Sequence, residues 1–172
     1  MYKLAVARSD MAVASDIAGR LVDLEMHDRL WVPLQDACII AYARPFSGNR
    51  PFGPLDPSFA QFDDDDLQAL HEALLEMRNK TIAHSDSSIR NVFLFPPGSL
   101  RFDGGRVGSG FDLSVRTEKL PPRRFHRVQE LCHQVGSRLN AAVQALQESI
   151  NPEEVPNKPF DLLTLDIVVP DG

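Results

Sequence analysis

The sequence predicts a mainly α fold: an up-and-down bundle of four helices, with a small β-hairpin or meander inserted before the last helix and an extended C-terminal tail. Three observations carry this. Four stretches repeat apolar residues three and four positions apart, the spacing of a helix with one buried face. Between the third and fourth, a region punctuated by glycine and proline instead alternates apolar and polar residues, the period of a strand. The chain has 172 residues, 43% of them hydrophobic, which suits a single domain over 1–172 with one core.

The first helix is expected at about 10–26, where Val13, Ile17, Leu21 and Leu24 share a face and Ser9 or Asp10 can cap the start. The second, about 30–44, carries Leu30, Leu34, Ala37 and Ala41, and stops at Ala43-Arg44-Pro45 because a proline disfavours helix in the residue before it. Prolines 45, 51, 54 and 57 then mark a long irregular connection, for which Phe46, Phe52 and Phe59 are the natural anchors. Asp63 to Asp66 opens the third helix, about 63–85, where carboxylates accept from free N–H groups and complement the positive end of the dipole. Adjacent aspartates point around a helix rather than to one centre, so capping is a better account of the run than metal binding.

The insertion spans about 91–116: short strands at Asn91 to Phe95, Leu100 to Phe102 and Phe111 to Arg116, split by turns at Pro96-Pro97-Gly98 and Asp103-Gly104-Gly105. Pro121-Pro122 opens the fourth helix, about 122–150, with Val128, Leu131, Val135, Leu139, Ala142 and Leu146 on one face. The tail, about 160–169, alternates Leu163, Leu165, Ile167 and Val169 and suits an edge strand or docked segment.

A formal charge of −6 argues against a protein that coats nucleic acid by bulk electrostatics. The charge is uneven, however. Arg123, Arg124 and Arg127 gather in the first turns of the fourth helix, where cations oppose the macrodipole, so they need a partner: the Asp63 to Asp66 run, or an RNA phosphate. Cys38 and Cys132 lie apart in helical patterns among apolar neighbours, as small core residues of a reducing compartment do. With no apolar run of signal or membrane length, the expected location is cytoplasmic, with no membrane partner.

The most informative stretch is Arg78-Asn79-Lys80-Thr81-Ile82-Ala83-His84. On a wheel of about 100° per residue, Leu67, Leu70, Leu74, Leu75, Met77 and Ile82 span roughly 160°, and Arg78 falls inside that arc. A guanidinium there needs a carboxylate, a solvated cleft or a ligand anion. His84 sits at the arc's edge, about 9 Å further along the axis, within reach of the same substrate group. Glu76 and Lys80 form an ordinary solvated pair on the opposite face. Two readings follow. Either Arg78 and His84 staple the bundle through a carboxylate and a loop carbonyl, or Arg78 holds a scissile phosphate, Asn79 meets its edge and His84 moves a proton. One histidine serves as base or acid but not both at once, so the second reading favours a two-fold dimer through this helix. A metal-dependent hydrolase built on His126, Glu130 and His133, spaced i, i+4, i+7, is a third possibility; a solvated helix face is the plainer account of that stripe.

Arginine, a polar residue and then histidine near the end of a long helix in a helical core resembles the HEPN superfamily. The resemblance is carried by Leu75-Glu76-Met77-Arg78-Asn79-Lys80-Thr81-Ile82-Ala83-His84-Ser85-Asp86, and Ile40-Ala41-Tyr42-Ala43-Arg44-Pro45-Phe46 is similar to a segment of uncharacterised bacterial proteins with such a motif. It implies a HEPN-like bundle and a homodimeric, metal-independent endoribonuclease needing no cofactor, in a toxin–antitoxin or defence setting, with an antitoxin or other partner protein. Arg78, Asn79 and His84 inherit the catalytic roles; Arg123, Arg124 and Arg127 are the candidate substrate contacts by the RNA-phosphate reading of the basic cluster, not by the resemblance. Ser85-Asp86 follows the histidine in place of any residue and then tyrosine, which departs from toxins silenced by nucleotidyl transfer. Other HEPN-like domains serve only as dimerisation or nucleotide-binding modules, and that alternative stays open.

Overall fold

The computed structural model describes residues 1–48, 53–82, 90–99, 112–117 and 119–150. It is mainly helical: α1 spans Tyr2–Asp23, α2 Trp31–Ala43, α3 Asp65–Ile82 and α4 Pro122–Glu148, with short 3₁₀ turns at Arg44–Phe46 and Pro57–Ala60. Strands β1, Arg90–Phe95, and β2, Asp112–Thr117, form an antiparallel pair in which Val92 faces Val115 and Leu94 faces Leu113. The third expected strand at Leu100 to Phe102 and the tail at 160–169 lie outside the described residues.

Helix α1 starts eight residues earlier than the sequence suggested. Asp10 does not cap it; the carboxylate is buried within the helix and accepts from Arg44 Nη1 at 2.6 Å. Burial pushes the Asp10 carboxyl above its ordinary range, and the adjacent guanidinium pulls it back down. The buried face also differs from the expected one. Ala7, Met11, Ala14, Ala18 and Leu21 face the core, while Val13 is 47% exposed. Small side chains let α1 lie close against α4, its most extensive neighbour, and then α2.

Helix α2 shows a similar shift. Trp31, Gln35, Cys38, Ile39 and Tyr42 are buried, whereas Leu30 is exposed. Trp31 packs edge-on against Phe125 of α4, with ring centroids 5.8 Å apart. The Gln35 side-chain Oε1 accepts from the Leu120 backbone N–H at 2.8 Å and so ties the approach to α4 onto α2. In α4 the core face is Phe125, Val128, Leu131, Cys132, Val135, Leu139 and Val143; Leu146, expected on it, is 39% exposed in the last turns. The two cysteines are buried free thiols, as expected, and burial pushes Cys38 up to about 12.

Other local expectations hold. Pro122 opens α4, and α2 ends before Arg44-Pro45. Asp64 caps α3 by accepting from the Asp66 and Leu67 N–H groups at 2.8 and 3.1 Å. After β1 the chain turns at Pro96-Pro97-Gly98: Ser99 N–H donates to the Pro96 carbonyl at 3.1 Å, and Gly98 takes φ 83°, a conformation that favours glycine. Of the connection's three aromatic anchors, Phe46 and Phe59 pack on the core and Phe52 lies outside the described residues.

Candidate functional site

Helix α3 presents two polar groups on its core-facing stripe. Leu67, Leu70 and Leu74 are buried as expected. Arg78, on the same stripe, is half-buried; its Nη1 donates to Asn79 Oδ1 at 3.1 Å, and among the described residues it has no carboxylate partner. Asn79 is exposed, and Glu76 and Lys80 form the expected i, i+4 pair at 2.7 Å. His84, the other half of the motif, lies outside the described residues.

The second group is His71, seven residues or about two helical turns before Arg78; the sequence pattern alone did not mark it. It is 6% exposed, and its Nδ1 lies 2.8 Å from the Tyr42 hydroxyl. Phe46 meets the imidazole edge-on at 4.9 Å between centroids, and Phe62 lies at 5.8 Å. Burial holds the imidazole below its ordinary pKa, and pushes the Tyr42 phenol up, so both are neutral near pH 7. This fixes the direction of the bond. Tyr42 is fully buried and has no other hydrogen-bond partner among the described residues. If Nδ1 held the proton, the phenolic hydrogen would be buried without an acceptor, at a cost of about 1–3 kcal/mol. Tyr42 therefore donates to Nδ1, and the imidazole proton sits on Nε2.

His71 lines a cleft of about 650 Å³, together with Phe46, Leu55, Phe62, Gln68 and Glu72. Its Nε2 has no hydrogen-bond partner among the described residues. Unlike Trp31 Nε1, which is enclosed without a partner, Nε2 of His71 is not sealed from solvent, and the residue lines the cleft. At the mouth, Gln68 Nε2 donates to Glu72 Oε1 at 3.0 Å, and Gln68 Oε1 accepts from the Phe62 N–H at 3.3 Å. Arg138 stacks over Phe62 at 5.2 Å and donates to the Phe59 carbonyl, bracing that wall from α4. The clue in the sequence was a histidine seven residues before Arg78, inside the same leucine arc.

The basic cluster of α4 finds the first of its two expected partners. Arg127 bridges Asp64 and Glu130, each at 2.5 Å, and Arg124 approaches Asp66 at 3.6 Å; Arg123 is exposed with no ion pair among the described residues. The α3 cap thus offsets the unfavourable placement of these cations at a helix N-terminus. His126 and His133 are exposed, Glu130 is engaged by Arg127, and no three His, Cys, Asp or Glu side chains converge as metal ligands among the described residues. Nor is any described helix long and apolar enough to cross a membrane. Comparison with protein-family models, curated proteins and solved structures finds no match.

Proposed function

We propose that the chain is a HEPN-like ribonuclease domain that cleaves RNA without metal through Arg78 and His84, as a homodimer through α3. One observation carries this: Arg78 is half-buried on the core-facing stripe of α3, and its guanidinium meets the Asn79 amide and, among the described residues, no carboxylate. A cation so placed keeps its charge for an incoming anion, and a phosphodiester is the anion that the arginine-to-histidine spacing suits. Arg78 binds the scissile phosphate and stabilises charge building on its oxygens, with Asn79 orienting the guanidinium. His84 takes the proton of the ribose 2′-hydroxyl as that oxygen attacks phosphorus. The bond to the 5′ oxygen breaks, leaving a 2′,3′-cyclic phosphate and a 5′-hydroxyl. The partner's His84 returns a proton to the leaving oxygen.

The test uses purified protein, mixed RNA and excess chelator, with Arg78→Ala and His84→Ala alongside. Cleavage leaving 2′,3′-cyclic ends is expected, lost by at least about a hundredfold in either variant. Intact RNA throughout would mark a non-catalytic interaction module, and cleavage only with added divalent ion a metal-dependent hydrolase. Light scattering should report a dimer.

A further inference from the structure

The geometry points to a second site on the same face of α3: the cleft between Phe46, Phe62 and His71 binds a single nucleobase, one that carries both a ring acceptor and an exocyclic amine. The floor is one neutral N–H donor, Nε2 of His71, held in that tautomer by the buried Tyr42 hydroxyl. The walls are largely aromatic and aliphatic, from Phe46, Phe62 and Leu55, with the Gln61 and Gln68 amides also lining the cleft. The mouth carries Glu72, whose second carboxylate oxygen has no partner among the described residues. A volume of about 650 Å³ lies within the usual range for small-molecule sites.

The donor set selects the ligand. Among the described residues no lysine or arginine lines the cleft, and the exposed Glu72 does, so a phosphate or carboxylate meets a like charge there. A compact cation suits the carboxylate but sets its own N–H groups against the imidazole N–H on the floor. An uncharged planar ring with an acceptor at one edge and an amine at another satisfies both ends, and its faces suit the aromatic walls. Adenine and cytosine have that pattern, as does guanine through its 2-amine; hypoxanthine and uracil have no exocyclic amine.

Arg78 lies seven residues on from His71 along one helix face, about 10 Å by the rise per residue, so one strand can place a phosphate on Arg78 and a base in the cleft. That the base belongs to RNA rests on the ribonuclease reading above; the cleft's affinity for the free nucleoside does not.

Nitrogen-15 spectra of the histidine rings, recorded on the full chain while nucleosides are added, test the assignment. Adenosine and cytidine should move the His71 Nε2 and the Phe46 and Phe62 signals, saturating at millimolar concentrations, and bind about tenfold more tightly than inosine and uridine. His71→Phe should weaken binding about tenfold or more, and Glu72→Gln, an exposed change that spares the core, should erase the preference for amino bases. Arg78→Ala should leave nucleoside binding unchanged. No response to any nucleoside at about 10 mM overturns the site, as does a response to choline or arginine without one to nucleosides. A short RNA should bind more weakly when its bases are replaced by abasic sugars; equal affinity overturns the placement of the strand. Nucleoside binding without RNA cleavage keeps the base site and sinks the ribonuclease reading, and cleavage without nucleoside binding does the reverse.

Discussion

Among the described residues His71 has no ion-pair partner to hold its proton, and burial among Tyr42, Phe46 and Phe62 favours the neutral ring. Glu72, its chain neighbour, opposes that shift without overcoming it. The consequence for stability has a definite sign. An unfolded chain takes up the His71 proton near pH 6.5, the folded chain only at lower pH, so the unfolded state binds more protons in between. Stability should therefore fall as pH drops from about 6.5 toward the folded value, and this contribution should be flat above 6.5. Urea unfolding at stepped pH in wild type and His71→Phe checks this: subtracting the two curves should isolate a slope confined to that window. A difference that is flat through it would mean that the imidazole is not held neutral by burial.

At the scale of elements, α4 is the longest and most strongly two-faced, and its interior glycine is a weak point. Gly136 sits mid-helix, and a Cβ added there meets no atom within 4 Å. Glycine in a helix interior costs roughly 0.5–1 kcal/mol relative to alanine through the greater freedom of its unfolded backbone. Gly136→Ala should raise the unfolding free energy by about that amount, measured by urea titration, and leave nucleoside and RNA binding unchanged because neither proposed site includes it. Helix α1 is tuned differently. Its buried stripe of Ala7, Ala14 and Ala18 contributes little area of its own but lets the large residues of α4 approach. The start of α3 is tied to that of α4 through Asp64, which caps one helix and pairs with Arg127 of the other.

Across the whole molecule, α1, α2 and α4 enclose one apolar core, with α3 laid against it chiefly through α2. Leu139 is fully buried in that core. Leu139→Ala should cost about 2–5 kcal/mol, the range for truncating a leucine in a packed interior, and should shift the urea midpoint without changing the slope. This layout also explains how the cleft arises. Phe46 follows α2, Phe62 precedes α3, and the connection between them returns through a Leu55 N–H to Pro45 carbonyl bond at 2.8 Å. The described parts of this connection thus supply Phe46, Leu55 and Phe62 to the cleft that His71 lines.

Four helices, the aspartate cap, the proline at the start of α4 and the paired strands were all legible in the sequence because each rests on neighbours in the chain: spacing, capping chemistry and turn residues. Arg78 was legible for the same reason, being a cation on an apolar arc of a single helix. Which faces of α1 and α2 are buried was not. The α1 stripe is largely alanine, invisible to a search for large side chains, and α2 is apolar around most of its circumference, so periodicity selects no face. Only the tertiary structure turned Asp10 from a cap into the partner of Arg44 and brought Tyr42 onto His71, 29 residues away. Local order followed from the sequence, whereas the tautomer of a buried imidazole depends on which distant hydroxyl packing delivers to it.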